Sequence, residues 1–370
     1  MAEGKIRVFH VLTDCNIGGA GRWLLNYLKY YNRQRFEVWV ILPTGSALEP
    51  AVMALEVPVI SVQDMDDSSY DKKAKATLYQ LFRQEKPDIV HTHASLTARM
   101  AAKKAKIKKI INTKHCMELP TRSLPKKIVR RVVNKRYSHT IIAVSEAVKQ
   151  SMVKGGTKAS QIVTIYNGID GIVPISAEKR NDILWSYGGD PTKKAVGIVA
   201  RLEEVKDHKT FLLAAKEVLR FRKDISFYII GDGSLRNSLE EQVNALGIAG
   251  NVVFTGFVEK VERLESALDL NVITSTQEAL CLSLIETMSA GIPAIGTDSG
   301  GVNEVICHGE NGYLVSVGDW KDLADRIMEV LANEGEYLRL GMNARNWTME
   351  RFTAFVMAAK IERLYLEGKK

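Results

Sequence analysis

Short apolar runs alternate along the chain with longer stretches in which apolar residues recur every three or four positions. In the first half "IRVFHVL" (6–12), "FEVWVIL" (36–42), "VPVISV" (57–62), "DIVHTH" (88–93), "KIINTKH" (109–115) and "TIIAVS" (140–145) read as strands, and helical periods cover about 21–32 and 71–85. Continuously apolar strands between helices imply a parallel sheet covered on both faces. The rhythm stops over 167–194, where Gly168, Gly171, Gly188, Gly189, two prolines and the turn pair Asn167-Gly168 predict a linker. It restarts with strands at 195–200, 225–231, 251–256, 270–275, 293–297 and 312–316 and helices near 208–222, 234–246 and 282–290. The expected fold is therefore α/β, with two Rossmann-like doubly wound domains in tandem: 1–175 and 176–348. A terminal segment, 349–370, helical over about 350–368, is expected to cross back to the first domain. Ligands of such sheets bind beyond the carboxyl ends of the strands, so the site is sought in a cleft that the domains face.

Composition adds room for two cores: 370 residues, 46% hydrophobic and 25% charged. No run approaches the roughly 20 apolar residues of a membrane span, and "MAEGKIRVFHVL" lacks the phases of a signal peptide, so a cytoplasmic location is expected. Cys15, Cys116, Cys281 and Cys307 form no C-x-x-C pair, which argues against a disulfide framework or zinc site and for buried, reduced thiols. Charge changes the picture more. Between Arg99 and Arg136 stand fourteen Lys and Arg against the single acid Glu118, a local +13 in a chain of net +8, so the remainder is net acidic. Within that segment Leu124, Ile128, Val129, Val132 and Val133 recur at helical spacing among Lys126, Lys127, Arg130, Arg131, Lys135 and Arg136. Two readings stay open: a helix packed on its own domain with a solvated basic face, or one lying on an anionic membrane, each cation adding about 1 kcal/mol. Nucleic acid is not expected, because aromatic residues are scarce in the patch.

The candidate chemistry lies in the second half. In "QEALCLSLIETMSAG", Glu278 falls in a strand-to-helix loop and Glu286 about one turn into the helix. Unpaired N–H groups at such a helix start suit a phosphate, and ionised carboxylates accept hydrogen bonds from sugar hydroxyls. A nucleotide sugar satisfies both, although a solvated loop acid and an exposed helix acid explain the same residues. Arg201 and Lys206 follow the 195–200 strand, again at a carboxyl edge, where a guanidinium and an ammonium can neutralise a leaving diphosphate. Other motifs carry less. "GGAG" lacks the G-x-G-x-x-G spacing of a dinucleotide fingerprint. Asp64-Met65-Asp66-Asp67 reads as a polar turn or helix cap, and no metal is expected. His10 and His139 read as structural; His91 and His93 point to one face at a strand end, where either both are satisfied in place or one reaches the cleft.

On these residues the chain resembles the retaining glycosyltransferases of family 4, which have the GT-B fold, over nearly its whole length. "ARLEEVKD" is similar to the family's Arg-x4-Lys motif and "EALCLSLIE" to its Glu-x7-Glu motif; "GDGSL" (231–235), "FTGFV" (254–258), "SAGIPAIGTDSGGVNEVI" (289–306) and "NGYLV" (311–315) resemble its flanking blocks, in order. The resemblance implies a metal-independent enzyme, with no cofactor beyond the co-substrate, that moves a hexosyl group from a nucleotide diphosphate sugar, UDP-linked, to a glycan or lipid-linked acceptor. It implies that Arg201 and Lys206 hold the diphosphate, that Glu278 holds the sugar hydroxyls and that Glu286 holds the ribose. Gly256, Phe257 and Val258 would line the base and Leu282 the donor site. "NIGGAGR" places Gly18 and Gly19 in the glycine-rich loop, and His115 stands near the transferred sugar. Catalytic roles fall to Glu278, His115, Arg201 and Lys206, with domain closure about a hinge near 167–194 and peripheral membrane contact through 99–136. Ala279-Leu280-Cys281 replaces a common Gly-Phe-Gly, Gly21 a common acid and Asp207 a frequent glycine. A sugar-nucleotide epimerase or phosphorylase on the same scaffold, and a nonenzymatic membrane- or nucleic-acid-binding adaptor, are the rival readings.

Overall fold

The strand β1 (Ile6–Leu12) is buried at every position but Arg7, in keeping with a sequence that is apolar except at Arg7 and His10. The computed structural model describes residues 4–63, 65 and 70–367; Asp64, Asp66 and Asp67, read in sequence as a polar turn or helix cap, lie outside the described residues. The chain divides into two compact units, Met1–Asp170 with Thr353–Lys370, and Gly171–Phe352.

In the first unit β1 is followed by α1 (Gly19–Tyr30), β2 (Phe36–Pro43), α2 (Leu48–Met53), β3 (Val59–Val62), α3 (Lys72–Glu85) and β4 (Ile89–His93). Then come α4 (Leu96–Lys104), β5 (Lys109–Lys114), α5 (Leu124–Tyr137), β6 (Thr140–Ala143), α6 (Glu146–Lys154) and β7 (Ile162–Thr164). The seven strands pair in parallel in the order β3-β2-β1-β4-β5-β6-β7. The winding reverses between β1 and β4, whose carboxyl ends splay into separate loops. Helix α1 turns Trp23, Leu24, Tyr27 and Leu28, one helical stripe, into the core.

The second unit begins with a correction. The glycine-rich stretch expected to be a linker contains α7 (Ala177–Ser186), capped by Ser176. Only Leu184 of α7 is buried, too weak a periodicity to read. Arg180 ties the helix down, donating to Asp269 at 2.5 Å and to the carbonyls of Pro191 and Lys193 at 3.1 Å. The unit continues with β8 (Lys194–Val199), α8 (His208–Phe221), β9 (Ile225–Ile230), α9 (Arg236–Leu246), β10 (Val252–Gly256), α10 (Val261–Glu265) and β11 (Leu270–Ile273). It ends with α11 (Leu282–Ser289), β12 (Ala294–Thr297), β13 (Tyr313–Val315), α12 (Trp320–Ala332) and α13 (Glu334–Arg351). Its parallel sheet runs β10-β9-β8-β11-β12-β13, reversing between β8 and β11.

The helix expected over 350–368 is broken. α13 ends at Arg351, and Thr353 caps a new helix, α14 (Ala354–Leu366), by accepting from Val356 N. α14 completes the core of the first unit with Met357, Ala358, Ile361, Leu364 and Tyr365. Burying each of the larger of these side chains is worth about 1.5–3 kcal/mol. Lys109 on β5 donates to the carbonyls of Leu364, Tyr365 and Glu367, satisfying orphan acceptors at the end of α14. A second correction concerns the thiols: Cys281 is buried, but Cys15 and Cys116 are exposed.

Candidate functional site

Two loops meet at the reversal point of the second sheet, one leaving β8 and one leaving β11. Lys206 donates to Glu278 Oε1 at 2.5 Å, and Ser275 donates to the same oxygen at 2.7 Å. Glu278 is 9% exposed, so a carboxylate in this position needs both partners. The backbone is locked as well: Thr274 Oγ1 donates to Lys206 O and Thr276 N to Val205 O, both at 2.9 Å. Ser283, in the first turn of α11, donates to Val199 O at 3.0 Å and ties that helix to the end of β8. From the far side Gly301 N donates to Glu278 O at 3.0 Å. Gly300 is required there, because its φ is +54° and a Cβ would lie 2.1 Å from Glu278 O.

Arg201 stands exposed in the same loop as Lys206, without a side-chain hydrogen bond or ion pair among the described residues. Leu282 opens α11, and Glu286, half-buried, lies in its second turn. The N-terminus of α11 has no side-chain cap at Cys281. Two strands from β8, Gly256 closes β10 with φ +69°, and its carbonyl accepts from Gly231 N at 3.1 Å. Phe257 beyond it is 80% exposed and Val258 half-buried. Asp207 adopts φ +47°, a conformation glycine reaches without strain, and its carboxylate caps α8 by accepting from Thr210 N at 3.3 Å while also accepting from Thr210 Oγ1 at 2.6 Å. Those hydrogen bonds account for an aspartate where the resemblance suggested glycine.

The first unit holds a second group at its own reversal point. A cavity of about 220 Å³ lies beyond β1, β4 and β5, lined by Thr13, Asp14, His93, Lys114, His115 and Cys116, with Ala20 of α1 beside them. Gly18 is the uncapped N-cap of α1, and Gly19, with nothing within 4 Å of a Cβ position, leaves an open approach to the helix start. Gly21 packs against Leu48, whose Cδ2 would be 3.0 Å from a Cβ, so α1 and α2 leave no space for an acid there. His115 lines this cavity; its Nδ1 is buried and has no partner among the described residues, while its Nε2 is 2.9 Å from His93 Nδ1. Burial holds His115 near a pKa of about 3, with the charge of Lys114 acting in the same direction, so the ring is neutral.

His93 lines the cavity and continues the series inward. Its Nε2 is 3.2 Å from His10 Nδ1; His10 Nε2 is 3.2 Å from the Tyr365 hydroxyl, which lies 2.6 Å from His91 Nδ1. His91 Nε2 ends the series 2.7 Å from Thr113 Oγ1. The alternation of His91 and His93 places both on one face of β4, but only the β1–β4 register and the return of α14 supply His10 and Tyr365.

The basic segment divides when folded. Arg99 is buried, donating to Asn134 at 3.0 Å and Ser138 at 3.1 Å, and Lys109 caps α14. Helix α5 is inverted: its single buried residue is the polar Asn134, and Arg130 pairs with Glu118 at 3.1 Å. Leu124, Ile128, Val129 and Val132 are instead 59–69% exposed, which removes the reading of an apolar stripe packed on its own domain.

Residues 179–347 match the family model "Glycosyl transferases group 1" and residues 17–171 match "Glycosyltransferase Family 4". The chain is 26% identical over 324 residues, 86% of its length and 84% of the relative's, to the N-acetyl-alpha-D-glucosaminyl L-malate synthase of Bacillus anthracis. It is 25% identical over 386 aligned residues, 99% of its length and 98% of the relative's, to the UDP-Gal:alpha-D-GlcNAc-diphosphoundecaprenol alpha-1,3-galactosyltransferase of Escherichia coli. Anabaena Alr3699/HepE, crystallised with UDP and glucose, superposes with a TM-score of 0.85 over 98% of this chain and 100% of that one, at 21% identity. That likeness shows the GT-B fold.

Proposed function

The chain belongs to the family 4 glycosyltransferases, and from that premise we propose that it is a retaining hexosyltransferase using a UDP-linked sugar and a glycan or lipid-linked acceptor. The single observation that carries the reading is the Lys206–Glu278 pair at the reversal point of the second sheet, where doubly wound folds bind nucleotides. A diphosphate arriving there competes with Glu278 for the ammonium. Lys206 and Arg201 then face the phosphates, and the carboxylate is released to accept from sugar hydroxyls. Glu286 accepts from the ribose, Gly256 to Val258 with Leu282 line the nucleoside, and Gly18, Gly19 and His115 serve the donor phosphate and transferred sugar.

In the retaining reaction the bond from the anomeric carbon to the diphosphate oxygen breaks. A bond to the acceptor oxygen forms on the same face, and the acceptor's proton passes to the leaving phosphate. Arg201 and Lys206 stabilise the departing charge, the role a metal plays elsewhere, so the transfer is metal-independent. The relatives' named substrates favour a nucleotide sugar linked to UDP and, for the galactosyltransferase, a lipid diphosphate acceptor. Inverted α5 favours work at the inner face of a membrane: exposed Leu124, Ile128 and Val132 would enter the interface while Arg131, Lys135 and Arg136 meet anionic headgroups. No helix among the described residues is long and apolar enough to cross it.

A thermal-shift screen of nucleotide sugars in chelator tests the reading. UDP-linked donors are expected to raise the melting temperature, with the shift reduced in Lys206→Ala and Glu286→Ala. An unmoved curve with every donor sinks it.

A further inference from the structure

The rings of His10, His93 and His115 form one end-to-end series, each nitrogen facing a nitrogen of the next at 2.9–3.2 Å. Burial drives the pKa of His10 to about 3 and those of His91 and His93 well below 6.5, so every ring in the series is neutral. A neutral imidazole carries one proton, on one nitrogen, and the other nitrogen accepts. A nitrogen-to-nitrogen contact works only with one proton between the two atoms: two protons clash, and none leaves two buried acceptors unmet. The three rings therefore share one sense. If Tyr365 donates to His10 Nε2, the protons sit on Nδ1 of His10, His93 and His115, and His115 holds a donor at Nδ1. If His10 Nε2 donates to Tyr365, the protons sit on Nε2 throughout, and His115 Nδ1 is a bare acceptor.

We propose that Tyr365, His10 and His93 are positioning residues that fix, as a unit, the tautomer of His115 in the wall of the first-unit cavity. The phenol has one proton to give, and His91 at 2.6 Å and His10 at 3.2 Å are both within its reach. Its choice sets the sense of the whole series. His91 is in turn held by the Thr113 hydroxyl, so the choice is made about four groups away from the ligand and inside the core. A site designed around a donor discriminates against a ligand that offers only a donor, because one buried polar group is then left unpaired. Use of that discrimination for a sugar or acceptor hydroxyl rests on the glycosyl-transfer reading; the coupling of the tautomers does not.

The test is a two-bond proton–nitrogen correlation spectrum of the seven histidine side chains in the full-length protein, free of ligand. His10, His93 and His115 are expected to be neutral and protonated on the same nitrogen type, all Nδ1 or all Nε2. A mixed set, or a charged ring among them at pH 7, overturns the proposal before any variant is made. In Tyr365→Phe, which keeps the ring and loses the hydroxyl, His115 is expected to sample both tautomers. Under the glycosyl-transfer reading its turnover then falls about tenfold with little change in donor-induced melting shift. Unchanged His115 nitrogen shifts in a folded Tyr365→Phe protein also overturn it. An absence of glycosyl transfer with the tautomers coupled overturns the functional reading alone.

Discussion

Glu278 is a carboxylate held ready by two donors on one oxygen, and removing either leaves a charge that is nearly enclosed. Lys206→Ala is expected to cost about 1–3 kcal/mol of stability from the unpaired group as well as the donor-induced melting shift. Urea unfolding with and without donor separates the two, and a variant as stable as the parent with full donor response would contradict the pairing. The buried histidines make a second prediction. Below their ordinary pKa of about 6.5 the unfolded chain takes up protons that His10, with a folded value of about 3, refuses. Stability present above pH 6.5 is therefore lost as pH falls toward 3, by up to about 1.4 kcal/mol per pH unit for each such ring. Unfolding midpoints at pH 7.5, 6 and 5 check the sign; a flat profile denies that these rings are neutral. The Arg201–Lys206 and Glu278–Glu286 spacings were legible because each pair lies within one local segment. The histidine series was not, since its contacts span 83 residues between His10 and His93 and 274 between His91 and Tyr365, a register no local pattern carries.

Strands read well as elements because a strand buried on both faces must be apolar, and β1 and β9 have few alternatives. Helices were legible only when one stripe faced the core. α7 buries a single leucine and is fixed by Arg180, so its segment reads as a linker. α5 shows periodicity without direction: the spacing of Leu124, Ile128 and Val132 locates a helix but leaves open which side faces inward. Arg99 and Thr157 decide it by engaging Asn134, and the apolar side is left outside. Replacing Ile128 and Val132 together by Glu is expected to abolish sedimentation with vesicles containing phosphatidylglycerol while leaving the melting temperature within about 2 °C. Equal binding of the double variant would remove α5 from the membrane reading.

At the scale of the whole molecule, the first unit is discontinuous in sequence. Thr353 pairs with Ile169, and Ala354 N donates to Ile169 O at 2.8 Å, so the returning segment is seated where the first 170 residues end. A chain stopped after Phe352 is expected to lose the first unit's protection selectively: limited proteolysis should release a resistant core derived from 171–352, and equal resistance of both units would refute this. The terminal helix was legible as an element, although nothing in its periodicity assigned it to the first unit. Its starting point was not legible, because the break between α13 and α14 depends on the Thr353 cap and on burial of Phe352.

That discontinuity also bears on how the protein is made. A ribosome delivers β1 to β7 well before Met357, Ile361 and Tyr365 exist, so the nascent first unit waits with an uncovered apolar face and an incomplete histidine series while roughly half the chain is still being translated. Synthesis order and folding order must therefore differ: the later-made unit can finish first, and the earlier one closes only when translation is nearly over.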